Sequence, residues 1–241
     1  MFVFLCEIPI FVALILKETI MIQIARFTFN PLGENTYLLW DDTKECIIVD
    51  AGNSTSREHA ALDKVIADGG LKPVMAVNTH GHFDHALGIG YIKEHYNIPF
   101  ALHSDDNFLI DSADLSASVF GLLAKDIPAA DIDLKGQESI SFGNSTLQLI
   151  HTPGHTPGHI CLYDKEGGVL LTGDTLFRES IGRTDLPGGD YSWIMRSIID
   201  KIIPLGDEVK ILPGHGESST IGHESLYNPF VTEVINGEIN C

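Results

Sequence analysis

Thr79-His80-Gly81-His82-Phe83-Asp84-His85 follows the apolar run Val74-Met75-Ala76-Val77 and precedes a helix-like stretch over 86–95. That order reads as a strand ending in a loop that feeds a helix. Within six positions the loop carries His80, His82, Asp84 and His85. An extended loop points alternate side chains the same way, so His80 and His82 converge on one point. Asp84 and His85 come after the chain has begun to turn and face a second point beside the first. Imidazole and carboxylate suit zinc, iron and manganese. The spacing therefore predicts a loop built for two metals.

Working outward, three more stretches place polar residues just past apolar runs. Thr152-Pro153-Gly154-His155-Thr156-Pro157-Gly158-His159 follows the strand-like run 147–150. Gly173-Asp174-Thr175 follows Val169-Leu170-Leu171-Thr172, and Pro213-Gly214-His215-Gly216 follows 209–212. Candidate ligands at the ends of rigid strands are a common way to hold a site. Spacing alone leaves His155 and His159 as rivals.

The motifs H-x-H-x-D-H at 80–85, His155, Asp174 and His215 resemble, in order, those of the metallo-β-lactamase superfamily. Asn35-Thr36-Tyr37 and Val49-Asp50-Ala51-Gly52 look like the family's early strands and turn, so the likeness spans about residues 22–230. A lone H-x-H is a weak signal, whereas several motifs in order are a strong one. Gly173-Asp174-Thr175-Leu176-Phe177, Ile181-Gly182-Arg183-Thr184-Asp185 and Leu212-Pro213-Gly214-His215-Gly216 look most like the glyoxalase II-like (hydroxyacylglutathione hydrolase-like) branch. In place of the branch's glycine-cysteine-glycine-lysine segment stands Ile181-Gly182-Arg183, and 26 residues follow His215, fewer than the helical glutathione-binding domain needs. A compact single-domain relative is expected. Gly182-Arg183-Thr184-Asp185 also resembles persulfide dioxygenases, which use one iron.

The resemblance implies an α+β fold, a four-layer αββα sandwich of two packed mixed sheets with helices outside. It implies that His80, His82 and His155 bind one divalent metal, that Asp84, His85 and His215 bind a second, and that Asp174 bridges them. The family match selects His155 over His159. Zinc is expected first, with iron or manganese acceptable to the same ligands. The implied reaction is hydrolysis of a hydroxyacylglutathione-like thioester by a metal-bridging hydroxide, which Asp84 orients. The alternatives are a mononuclear-iron persulfide dioxygenase and a lactone or ester hydrolase of the same fold. Asp50 is a candidate to hold a ligand imidazole from behind. Arg183 is a candidate substrate contact, set against a plain surface pairing with Asp185.

Composition narrows the classes. A chain of 241 residues has 44% hydrophobic and 20% charged residues, ordinary values for a globular protein. Its 33 acidic and 15 basic residues give a net charge of −18, which opposes nucleic acid as a partner. The expected partner is a small thioester or ester. Oligomeric state is not legible. Cys6, Cys46, Cys161 and Cys241 show no pairing pattern, and Cys46 and Cys161 lie in apolar runs as core residues. A reducing cytoplasm is the expected compartment.

Residues 1–16 are almost wholly apolar, but no Lys or Arg precedes them and Glu7 and Pro9 interrupt them. They are shorter than the roughly 20 residues that span a bilayer. Residues 1–20 therefore read as an extension outside the native domain, with Met21 as the start of a single domain over 21–241 and no stable membrane insertion. Strands are expected at 22–29, 36–40, 46–49, 74–78, 100–103, 139–142, 147–151, 159–163, 169–172 and 209–212. Thr55-Ser56-Arg57-Glu58 is a capping box that opens a helix closed by Gly69-Gly70. Asp190 precedes a helix expected to pack Trp193, Ile194, Ile198 and Ile202 on one side. Residues 105–125 read as a loose helix able to cover substrate. His59, His95, His103, His151 and His223 read as structural or surface histidines.

Overall fold

The structure is a computed structural model and describes residues 22–124, 127–235 and 237. The expected extension over 1–20 lies outside the described residues. In chain order the elements are β1 Gln23–Phe29, β2 Glu34–Trp40, β3 Glu45–Val49, α1 Ser56–Gly69, β4 Lys72–Val77, α2 Ile89–Tyr96, β5 Phe100–Leu102, α3 Asn107–Asp111 and α4 Ala113–Val119. Then come β6 Ile132–Asp133, β7 Ser139–Phe142, β8 Ser145–His151, β9 Ile160–Asp164, β10 Val169–Gly173, β11 Leu176–Phe177, β12 Ser180–Ile181 and α5 Tyr191–Arg196. After α5 the chain runs through a π-helical stretch, Ser197–Ile202, into β13 Lys210–Pro213, β14 Ser219–Thr220, α6 Ile221–Tyr227 and α7 Pro229–Ile235.

Two six-stranded sheets result, ordered β1-β2-β3-β4-β5-β6 and β14-β13-β10-β9-β8-β7. Both are mixed. In the first sheet β1 to β3 pair antiparallel and β3 to β6 parallel. In the second only β10 with β13 is parallel.

Strand alternation sorts the apolar residues into layers, because successive side chains leave opposite faces. Leu39, Ile47, Val49 and Val77 meet Leu147, Ile160, Leu162 and Leu171 between the sheets. Their neighbours Leu38, Ile48 and Ala76 face outward under Leu62, Ile66, Ile89 and Ile92 of α1 and α2. On the other side Cys161, Tyr163, Leu170 and Ile211 pack under Ile194, Ile198 and Ile202. Three apolar layers between four layers of structure define the αββα sandwich, as the motifs implied.

The capping box forms as expected. The Thr55 hydroxyl accepts from the Glu58 amide at 3.3 Å, and the Glu58 carboxylate accepts from the Thr55 amide at 3.0 Å. Gly70 ends α1 with a left-handed φ of 59°, which glycine adopts without steric cost. Two expectations change. Trp193 is 51% exposed rather than packed, because the buried seam runs through Ile194, Ile198 and Ile202 at four-residue spacing. The segment 105–125 is not one helix, because Ser112 separates α3 from α4. Among the described residues, no helix is long and apolar enough to cross a membrane.

Candidate metal centre

The proposed ligands come from loops at one edge of the sandwich, beyond β4, β8, β10 and β13. Main-chain bonds tie these loops to one another there, within and between the sheets. The Ile160 amide donates to the Thr79 carbonyl at 2.8 Å, the Gly214 amide to the Gly173 carbonyl at 2.8 Å, and the Asn35 amide to the Gly214 carbonyl at 2.7 Å. The Tyr37 hydroxyl donates to the Pro213 carbonyl at 2.7 Å. These bonds fix the starting points of the 79–85, 174 and 214–216 segments relative to one another.

All seven expected residues converge. His82 Nδ1 lies 3.1 Å from His80 Nε2 and 2.9 Å from His155 Nε2. His85 Nε2 lies 3.2 Å from His215 Nε2, and His215 Nε2 lies 3.3 Å from Asp84 Oδ2. Asp174 stands between the groups, with Oδ1 at 3.5 Å from His85 Nε2 and Oδ2 at 3.6 Å from both His155 Nε2 and His215 Nε2. The donors form the triads His80/His82/His155 and Asp84/His85/His215, and Asp174 also groups with His80 and His85.

Hydrogen bonds behind the rings decide where the lone pairs point. His155 Nδ1 donates to the Arg183 carbonyl at 2.7 Å, so its Nε2 carries a lone pair toward the centre. The Thr79 hydroxyl donates to Asp50 Oδ2 at 2.8 Å and so accepts from His80 Nδ1 at 3.0 Å. His80 Nε2 is therefore unprotonated as well. Two lone pairs thus crowd His82 Nδ1. Ligands of a tetrahedral zinc with bonds near 2.05 Å stand about 3.3 Å apart, close to these separations. Asp174 Oδ1 is buried with no hydrogen-bond partner, an arrangement a cation would relieve. The donor set and its spacing fit divalent metal ions.

Asp50 takes the supporting place expected of it. Its Oδ1 accepts from the Thr79 amide at 2.7 Å, and Oδ2 lies 3.2 Å from His85 Nδ1. The residue holds a left-handed φ of 53°, a conformation that Asp tolerates better than most residues.

The two triads differ electrically. Burial and neighbouring imidazoles push His80 well below its ordinary pKa, and burial with His155 pushes His82 down to about 3. Burial also disfavours a charged His85, but Asp174, Asp84 and Asp50 outweigh it and hold the ring well above its ordinary value. His215 is raised too, as Asp84 and Asp174 overcome burial. Burial would raise Asp174, yet His85, His155 and His215 hold it below the usual carboxylate range. Asp84 is lowered against burial by His85 and His215. His80 and His82 are thus held toward the neutral form, and His85 and His215 toward the charged form.

Several supporting residues escaped the sequence reading. His159 stands behind the centre, where Nε2 accepts from the Asp174 amide at 3.0 Å. It positions Asp174 and belongs to none of the ligand triads. Glu34 is fully buried, receives the Thr36 hydroxyl at 2.8 Å, and has Oε1 at 4.0 Å from His85 Nδ1. In sequence it is an ordinary polar residue at a strand start. The Arg183 side chain makes a bidentate pair with Asp185 at 2.7 and 2.8 Å, while its carbonyl orients His155. A carbonyl leaves no mark in a sequence.

The metallo-beta-lactamase superfamily model matches residues 29–215. The chain belongs to that superfamily. It is 37% identical over 201 residues to hydroxyacylglutathione hydrolase GloC of Haemophilus influenzae, covering 82% of this chain and 92% of that protein. The crystal structure of the BLEG-1 B3 metallo-beta-lactamase superposes with a TM-score of 0.80 at 36% identity, covering 87% of this chain and all of that one. A di-iron-bound form of TTHA1623 superposes with a TM-score of 0.78 at 36% identity, covering 86% and 99%.

Proposed function

We propose that the chain is a binuclear metallohydrolase that cleaves a thioester of the hydroxyacylglutathione kind. The observation that carries the reading is the convergence of two donor triads on Asp174, whose buried Oδ1 has no hydrogen-bond partner. His80, His82 and His155 would hold one divalent cation, Asp84, His85 and His215 the second, and Asp174 would join them. Zinc is the expected metal; the di-iron form of TTHA1623 makes iron the first competitor. Bound there, the pair would supply an acidified water and a Lewis acid for the carbonyl.

The chain's own residues orient and move protons. Asp84 Oδ2 lies 3.3 Å from His215 Nε2, and its carboxylate, held below the usual range by His85 and His215, would orient the attacking water and take up its proton. Returning that proton to the departing sulfur would complete the cycle. The described thiols are unsuited to nucleophilic attack, since burial pushes both Cys46 and Cys161 up to about 12.

The thioester assignment is supported by the likeness to the Haemophilus hydrolase, whose length the chain nearly spans. The BLEG-1 likeness supports a second reading, opening of a β-lactam or lactone, at nearly equal identity. Metal-replete protein assayed on S-lactoylglutathione, lactones and β-lactams decides between them. Thiol release that is lost on chelation and restored by metal is expected. Ring opening without thiol release would establish the second reading. Oxygen uptake with glutathione persulfide by the iron-loaded protein would replace both with a dioxygenase.

A further inference from the structure

Asp106 is a fully buried carboxylate outside the donor triads. It ends the single 3₁₀ turn, Ser104–Asp106, that follows β5. Its partners come from two different loops. Oδ2 accepts from the Gly81 amide at 2.9 Å and from the Thr156 hydroxyl at 2.7 Å. Oδ1 accepts from the Gly158 amide at 2.6 Å. Gly81 lies between His80 and His82, and Thr156 follows His155. One carboxylate thus ties the chain that carries two imidazoles of a triad to the chain that carries the third.

The glycines follow from this contact. A Cβ on Gly81 would lie 2.7 Å from the Asp106 carbonyl oxygen, and one on Gly158 would lie 2.8 Å from Asp106 Oδ1. Both loops approach Asp106 too closely for a side chain. That explains why the variable place in H-x-H is glycine here and why glycine precedes His159.

We propose that Asp106 is a positioning residue that sets the geometry of the His80/His82/His155 triad by clamping its two loops together. The inference rests on the reading that this triad holds a metal. Bonds from neutral donors to a buried carboxylate are stronger than neutral ones, and three of them make the relative placement of the loops stiff. The tie joins the two loops whose ring nitrogens stand 2.9 to 3.1 Å apart. The segment that carries His215 is held separately, by Asn35, whose Nδ2 donates to the Pro213 carbonyl at 3.0 Å and to the Gly216 carbonyl at 2.9 Å, and the Asp106 carboxylate bonds above do not reach it. The residue should therefore act on one metal step and leave the other alone.

The test is stepwise zinc binding by the full-length protein against a competing chelator. Wild-type protein, Asp106→Asn, Thr156→Val, His82→Ala and His215→Ala are compared, with folding checked by circular dichroism. Asp106→Asn keeps the shape but turns an amide N–H toward donors. It is expected to weaken by tenfold or more the same step that His82→Ala removes, and to leave within twofold the step that His215→Ala removes. Thr156→Val takes away one bond of three and should weaken that step about threefold, which keeps the test decisive if Asp106→Asn does not fold. Equal weakening of both steps, or a lower melting temperature with unchanged binding, would make Asp106 a general structural residue and overturn the inference. Wild-type protein that binds two zinc ions alongside variants that bind as tightly would overturn it alone. Wild-type protein that binds none would overturn the metal reading and this inference together.

Discussion

The two sheets furnish the centre in different ways. The first sheet supplies four donors, His80, His82, Asp84 and His85, from one continuous segment beyond β4. The second supplies His155, Asp174 and His215 from three separate loops, each meeting the centre alone. His80 and His85 are fully buried, whereas the His215 side chain is 26% exposed. A clustered segment can fix relative positions through local backbone geometry. Scattered donors need ties from elsewhere, and the structure provides them through His159 on Asp174, the Arg183 carbonyl on His155 and Asp84 on His215. The side built from one segment is therefore fixed locally, and the side built from scattered loops is fixed by ties between distant residues.

That contrast can be broken by substitution, beginning with the shared residue. Asp174→Asn removes the joining charge and should lower hydrolysis by three orders of magnitude or more, about 4 kcal/mol of transition-state stabilisation. Retention of more than a tenth of the wild-type kcat/KM would show that the two triads work independently. His215→Ala should cost several hundredfold, about 3–4 kcal/mol, and leave one metal bound. If metal analysis finds both metals still bound, the exposed arm is dispensable for binding.

Asp50→Asn probes the support behind His85. Outer partners of ligating histidines are worth about 10–100-fold in metal affinity, and the loss should fall on the step shared with His215. Loss from the His82 step alone would contradict the contact seen at 3.2 Å.

pH sharpens the comparison. His80 and His82 are lowered, so these two rings are neutral near pH 7 and release no protons on binding metal. His85 and His215 are raised and must lose protons to bind metal. Zinc affinity of the second triad should therefore climb more steeply from pH 6 to 8 than that of the first. In the metal-free protein the raised histidines stabilise the fold below about pH 6.5 and lose this effect as pH rises through their folded values. The lowered carboxylates Asp174 and Asp84 stabilise it above about pH 4 and lose this effect as pH falls. The lowered His80 and His82 act in the opposite sense and cost stability as pH falls below about 6.5. His82→Ala should therefore move the melting maximum of chelated protein to lower pH, and an unchanged profile would contradict the lowered state of that ring.

The smallest effect belongs to a helix cap outside the donor set. Thr55→Ala removes the α1 cap and should cost about 1 kcal/mol, or roughly 2–4 °C in melting temperature, with unchanged activity. An activity change would mean that α1 communicates with the site.

The same division explains what the sequence displayed. The long strands were legible because alternation over 23–29, or an unbroken apolar run over 160–163, leaves a trace, whereas β6, β11, β12 and β14 have two residues each and no period to read. The H-x-H-x-D-H segment was legible because its donors are adjacent. His155 could be separated from His159 only by family likeness, since both follow the same Thr-Pro-Gly or Pro-Gly frame. Asp106 and Glu34 were invisible because their roles depend on contacts with Gly81, Gly158 and His85, far away in the chain. Trp193 misled because an aromatic beside a buried seam has the same composition as one within it.

The most direct test of a joined two-metal centre is elemental analysis of metal-replete full-length protein, with thioester hydrolysis measured on the same sample. Two equivalents per chain are expected, with activity that disappears on chelation and returns in proportion as the second equivalent is restored. A stoichiometry that stays at zero, or full activity at one equivalent, would contradict it.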